Sequence, residues 1–313
     1  MRGTLFARVR PRVMALWHRV EGPARLLLLA AVVIRLAMML NDIGWSRLAH
    51  NLPTNPWFYA IALLNYCALP FYETIIYNWL WRTGTRVLPA LLRKRVYNET
   101  VLEYSGESAL FMWARGHTDV GDGELARNVR DVNILSTLAG TLVTFVVLVL
   151  VFTNMVGRLG NHDATLLWRG TLFTGGFILL LLALIAGFGK RFLALPINRI
   201  AGVSALHLLR LFTFMGLQAL QWHVAVPQVG WKTWSIFIAL QMAVSRLPLI
   251  PAKDLFFTSL AVKLGPQVSA SPAMLAGLFV ASSGLTLMVH GVMYLVGQMT
   301  GQAAPEKAPR PVA

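Results

Sequence analysis

Residues 56–81 read PWFYAIALLNYCALPFYETIIYNWLW, and this stretch decides the fold. As an α-helix, 26 residues extend about 39 Å, more than the roughly 30 Å hydrocarbon thickness of a bilayer. The stretch contains one charged residue, Glu73, and places aromatic residues at both ends, where the two membrane interfaces would lie. A strongly basic turn follows at once, with Arg82, Arg86, Arg93, Lys94 and Arg95. This is the pattern of a transmembrane helix ending at a cytoplasmic face, because cytoplasmic loops retain Lys and Arg.

The same pattern repeats outward from this helix. An apolar span at 24–42 precedes it, interrupted by Arg35, which must snorkel to the interface or face protein. Residues 1–23 are basic, with apolar residues interleaved, and Arg25 follows; they read as a cytoplasmic or interfacial segment on anionic headgroups. No small-x-small cleavage site follows closely, so a secretory signal is the poorer reading. Two basic clusters separated by two spans belong on one side. Further spans are predicted at 134–156, 166–188, 203–225, 233–250 and 272–298, with a short Pro/Ala-rich tail at 299–313 read as disordered.

Two segments are only half hydrophobic. Residues 96–133 hold seven of the thirteen acids, and within them 98–116 is too short and too charged to span. Glu99, Glu103 and Glu107 recur every fourth residue, so one continuous helix would stack three like charges on one face. The other half-segment, 251–265, follows Pro248 and Pro251, which break a helix. The predicted fold is therefore all-α: a polytopic integral membrane bundle of about seven spanning helices plus one or two re-entrant or interfacial helices, with 24–298 as a single transmembrane domain.

Composition agrees. Of 313 residues, 56% are hydrophobic and 13% are charged, about half the charge of a soluble domain; the mean hydropathy is +0.60. The net charge of +15 sits in short runs between apolar stretches, which encodes topology rather than a nucleic-acid surface. Cys67 is the single cysteine, so no intramolecular disulfide forms.

The order of features resembles the transmembrane region of the lysylphosphatidylglycerol synthase family and its stand-alone, flippase-like relatives. The residues that carry the resemblance are the Trp-rich basic boundary NWLWRTG (78–84), the charged segment after it, RLPLIPAKDLFF (246–257) and GVMYLVG (291–297). Where that family carries Gly-Gly-x-Gly before a glutamate, this chain has Ala252, Lys253, Asp254 and Leu255, and the synthase's soluble domain has no counterpart. The resemblance implies movement of a lipid or lipid-linked substrate between the leaflets of a bacterial cytoplasmic membrane. An anionic or aminoacylated phospholipid is the candidate partner, with no nucleic acid and no cofactor.

Ionisable residues inside spans are costly and are functional candidates by default. Glu73 pairs with Arg35 in one reading, as an interhelical contact. Arg210 stripes the span at 203–225, and His290 in the last span reads as structural. The site expected from sequence sets Arg246, Lys253 and Asp254, around the proline break, opposite Glu99, Glu103 and Glu107. The basic groups would hold phosphate and the carboxylates a cationic headgroup. No catalytic residue and no metal ligand is assigned.

Two other classes stand beside this one. Asp119-x-x-Asp122-Gly123-x-x-Ala126-Arg127 is similar to the first half of the CDP-alcohol phosphotransferase signature, which implies a membrane-embedded headgroup enzyme. The glycine and two further aspartates of that signature are replaced at those spacings by Ser136, Gly140 and Thr144, and a two-metal site needs the carboxylates. A non-catalytic membrane partner subunit is the third reading.

Overall fold

The computed structural model describes residues 45–100, 105–156, 193–247, 253–268 and 270–301, with isolated positions 34, 37, 38, 41 and 176. Apart from those isolated positions, the expected segment 1–23, the spans 24–42 and 166–188, both prolines of the break and the tail beyond 301 lie outside the described residues. Regular structure among the described residues is helical throughout: α1 (Trp45–His50), α2 (Pro56–Trp81), α3 (Leu88–Thr100), α4 (Ser105–His117), α5 (Asp122–Val156), α6 (Ile197–Ala225), α7 (Trp231–Ser245), α8 (Lys253–Leu264) and α9 (Pro272–Gly301).

Four of these are long and apolar enough to cross a membrane: Pro56–Trp81, Asp122–Val151, Ile197–Ala225 and Pro272–Met293. The spans expected at 56–81, 134–156, 203–225 and 272–298 fall on them. The span expected at 233–250 corresponds to α7, whose 15 residues reach only about 22 Å. Helix α5 starts twelve residues before its apolar part, at a polar turn where Asp122 and Glu124 face the positive end of the helix dipole.

The chain divides into two compact units, one formed by Thr54–Ala239 with Gly284–Ala313, the other by Met1–Pro53 with Leu240–Ser283. In the first unit, local chemistry sets the ends of α2. Asn55 caps it by accepting the Trp57 N–H at 3.0 Å, and Pro56 occupies the first turn. Arg82 ends it in the left-handed region at φ 55°, its N–H on the Asn78 carbonyl at 2.8 Å, while the Asn78 side chain accepts the Gly84 N–H at 2.7 Å.

Helices α2 and α6 run antiparallel along a polar seam. Asn55 donates to the Val224 carbonyl (3.0 Å), Asn65 to Gln218 (3.4 Å), Tyr72 pairs with Thr213 (2.9 Å), and Arg199 donates to the Trp79 carbonyl (2.9 Å). Hydrogen bonds between apolar helices are a common adhesive where burial in lipid provides no hydrophobic driving force. Gly202 leaves room for the Trp79 indole, which would collide with any side chain there.

Helices α3 and α4 form a tight pair. The Gly106 N–H donates to the Asn98 side chain at 2.7 Å, and a Cβ on Gly106 would strike the backbone carbonyl of Lys94. A carbonyl on a helix cannot swing aside, so Gly106→Ala is expected to cost about 1–3 kcal/mol. A lowered melting temperature in detergent checks this; an unchanged one would mean that the two helices separate freely.

The core of this unit gathers Ile76, Tyr77, Leu91, Leu110, Leu125, Val132 and Val203 between α2 and α6. Around it, polarity runs inside out. Leu64, Phe71, Leu150, Phe212 and Leu287 are exposed, whereas Glu73, Lys94, Asp131 and His207 are buried. Water would drive the reverse arrangement, so the distribution points to an exterior solvated by lipid.

In the second unit, Phe257 of α8 meets Phe279 of α9 edge to face at 4.9 Å, and Leu275, Ala276 and Leu278 are fully buried. Gly277 lets α9 approach the Asn51 carbonyl, which a Cβ would strike. Asp254 stands in the first turn of α8 and Lys263 in the last, each complementing the helix dipole.

Candidate functional site

The inside-out distribution culminates in a cleft of about 280 Å³, walled by Leu69 and Glu73 of α2, Lys94, Arg95, Asn98 and Glu99 of α3, Glu107 of α4, Asn133, Ser136 and Thr137 of α5, and Arg210 of α6. Three carboxylates and three basic groups therefore share one small space. Glu73 lies eight residues, or about 12 Å, inside the end of α2, so the cleft runs alongside a helix long and apolar enough to cross a membrane.

Lys94 is its centre. Its Nζ lies 2.5 Å from Glu73 Oε1 and 3.7 Å from Glu107 Oε1, and the side chains of Lys94 and Glu73 are 8% and 7% exposed. Burial alone would lower the lysine's pKa, but Glu73, Tyr77 and Glu107 surround it with negative or electron-rich groups and raise it above the ordinary range. Lys94 is therefore a fixed positive charge.

Arg95 is held by a consequence of proline. Pro70 has no N–H to give, so the Tyr66 carbonyl one turn earlier loses its helical partner. Arg95 Nη1 donates to that carbonyl, its guanidinium lies 3.9 Å from the Tyr66 ring centroid, and its Nε meets Glu99 at 2.8 Å. A helix break inside a membrane is tolerated when another group satisfies the freed carbonyl. On the opposite wall, Arg210 Nη2 donates to Ser136 Oγ at 3.2 Å.

Glu107 is only partly satisfied. Oε1 accepts from Asn98 at 3.2 Å, but Oε2 is buried without a hydrogen-bond partner. A buried carboxylate oxygen left unpaired in a cavity is a receptor for a donor. Glu99 is the more exposed of the acids, with 38% of its side chain open. Burial pushes its pKa up, but Arg95 and His290 outweigh this and hold it down at about 2.

Comparison with protein-family models, with curated proteins and with solved structures finds no match. The site is therefore read from its own chemistry. Of the residues expected from sequence, Glu73, Glu99, Glu107 and Arg210 come together, and Glu103 lies outside the described residues. Glu99 and Glu107 do not share one helix face: they stand on α3 and α4, with Lys94 and Asn98 drawn in against Glu107, which removes the repulsion a single helix would impose.

Glu73 takes Lys94 as its partner, and Arg35 lies outside the described residues. Arg246, Lys253 and Asp254 fall in the other unit, where Lys253 donates to the Ser245 carbonyl at 3.1 Å. Asp122, from the phosphotransferase-like half-motif, pairs with Arg115 at 3.0 Å, and Ser136, at the position of that motif's glycine, lines the cleft.

Sequence reasoning missed Lys94, Arg95, Pro70 and Asn98. A proline inside a span should have flagged a carbonyl in need of a donor, and the surplus of acids in 96–133 should have flagged the adjacent basic run as its partner.

Proposed function

We propose that this chain is a flippase-like membrane protein that handles a phospholipid or lipid-linked substrate, holding the polar head in the cleft while the acyl chains remain in the bilayer. The observation that carries this reading is a cleft of both charge signs, with the Arg210 guanidinium on one wall and the unpaired Glu107 oxygen on another, inside a bundle whose exterior is apolar. Its volume is slightly below the usual range for small-molecule sites, enough for a headgroup and too small for a whole lipid. A guanidinium binds phosphate with geometric specificity, and a carboxylate oxygen accepts from an ammonium or hydroxyl. The layout shared with the flippase-like family supports the same reading, and the basic N-terminal segment supports a cytoplasmic N-terminus in a bacterial inner membrane.

The test is leaflet transfer in vesicles reconstituted with the full chain, using phospholipids labelled on an acyl chain and differing only in the headgroup. Headgroup-dependent transfer is expected. Arg210→Gln should slow it by about 10- to 100-fold, since a charge-assisted hydrogen bond is worth roughly 1.5–3 kcal/mol. Transfer that is absent, or equal for every headgroup and unaffected by Arg210→Gln, would remove the reading. Substrate-consuming turnover that depends on Asp122 would favour the enzyme instead.

A further inference from the structure

Glu107 is held so that one of its oxygens is satisfied and the other is not. Asn98 Nδ2 donates to Oε1 at 3.2 Å, and the Asn98 side-chain oxygen accepts the Gly106 N–H at 2.7 Å, which fixes the amide on that oxygen. Lys94 Nζ lies 3.7 Å from the same Oε1 but 2.5 Å from Glu73. One lysine therefore serves two carboxylates, and the group of three carries an excess negative charge. Glu107 Oε2 is buried without a hydrogen-bond partner. Of the other two cations in the lining, Arg95 is bonded to Glu99 at 2.8 Å, and Arg210 stands on α6 with a bond to the neutral Ser136 hydroxyl.

We propose that the cleft selects a phospholipid whose head carries a phosphate together with an ammonium bearing at least one N–H, of which phosphatidylethanolamine is the simplest. This rests on the lipid-handling reading and narrows it. Charge makes the first choice among heads. The lining carries three carboxylates and three basic groups, so a zwitterion leaves the balance intact, whereas an anionic glycerol head leaves the excess charge beside Glu107 unanswered. A charge taken out of water without a partner is strongly unfavourable. Hydrogen bonding makes the second choice, because Oε2 needs a donor. A primary ammonium offers three, and choline offers none. The lining makes the third. Quaternary ammonium groups are recognised by aromatic faces, and among the described residues that wall the cleft there is no aromatic ring. The ammonium goes to Glu107 Oε2 and the phosphate to the Arg210 wall.

The test titrates the full chain, purified and delipidated in detergent, by native mass spectrometry with lipids of identical acyl chains. These are phosphatidylethanolamine, its N-methyl and N,N-dimethyl derivatives, phosphatidylcholine and phosphatidylglycerol. The first three should bind alike, since one N–H suffices for one oxygen. Phosphatidylcholine and phosphatidylglycerol should bind about 10- to 100-fold more weakly, the effect of losing a hydrogen bond to a charged group. The step from the dimethyl lipid to phosphatidylcholine removes the last N–H at nearly constant charge and size, and needs no variant to fold. In Glu107→Gln, which removes the charge but keeps an oxygen for Asn98, that step should largely disappear. Free phosphoethanolamine, the same head without acyl chains, should bind far more weakly than the lipids.

The outcomes separate this inference from the reading beneath it. Lipids that bind without the step, a step that persists in Glu107→Gln, or tightest binding of phosphatidylglycerol overturns the selection and leaves lipid handling standing. If free phosphoethanolamine binds as tightly as the lipids, or binds where they do not, and Glu107→Gln weakens it, the ammonium site stands and the lipid reading falls. Binding of neither overturns both.

Discussion

Lys94→Met is expected to destabilise the protein by about 3–5 kcal/mol, the cost of leaving a buried charge without its partner. Glu73 sits inside α2 with 7% of its side chain exposed, and Lys94 Nζ at 2.5 Å is its cation. Removal also strips the basic group nearest Glu107, at 3.7 Å, so a second carboxylate loses its counter-charge. At roughly 2–4 °C per kcal/mol, the melting temperature in detergent should fall on the order of 10 °C.

The informative control is the double variant Glu73→Leu with Lys94→Met. Replacing a buried ion pair by apolar groups of similar volume is often neutral or stabilising, so most of the lost stability should return. The gap between the double variant and the sum of the singles measures the coupling. If Lys94→Met melts like the unaltered protein, Glu73 is hydrated and the cleft is an open vestibule rather than a buried site.

Hydropathy made the lipid-solvated parts legible and little else. The apolar run 56–81 and helix α2 share both ends, because Asn55, Pro56 and Arg82 punctuate the helix where its apolar composition also stops. In α5 the two criteria part company: the apolar run starts near 134, but the backbone is helical from Asp122, since a polar turn with favourable first-turn acids continues a helix perfectly well in water.

The site was legible only in its acids. Glu73, Glu99 and Glu107 stood out because charge is rare in such a chain. Lys94 and Arg95 did not, because a positive-inside reading treats every basic residue in a connector as a solvated anchor. Lys94 is buried, and that follows from a close α3–α4 approach at Gly106, a tertiary fact no spacing encodes. His290 was read as structural because a lone histidine in a span has no visible partner in sequence; Glu99 is 191 positions away along the chain.

Asp131→Ala should be nearly as damaging as the loss of Lys94, for a different reason. Asp131 is fully buried on α5, and its Oδ2 accepts two backbone N–H groups, Ala194 at 2.6 Å and Leu195 at 3.0 Å. Its Oδ1 pairs with Arg130 at 2.8 Å. Leu195 is itself buried and has no helical partner for its N–H, because α6 begins only at Ile197. Alanine would leave the buried Leu195 donor unsatisfied, at about 1–3 kcal/mol, and forfeit the bond to the exposed Ala194 N–H, about 0.5–1.5 kcal/mol more, whereas the Arg130 side chain, half exposed, simply rehydrates. Asp131→Asn keeps one carbonyl oxygen able to accept both donors and should cost appreciably less. Amide exchange locates the effect: Ala194 and Leu195 should exchange much faster in Asp131→Ala, with the α2 amides near Ile76 unchanged. The consequence reaches the cleft because these residues lead into α6, the helix that carries Arg210 to Ser136. Equal destabilisation by alanine and asparagine would mean that the charge with Arg130, and not the pair of backbone bonds, holds this connection.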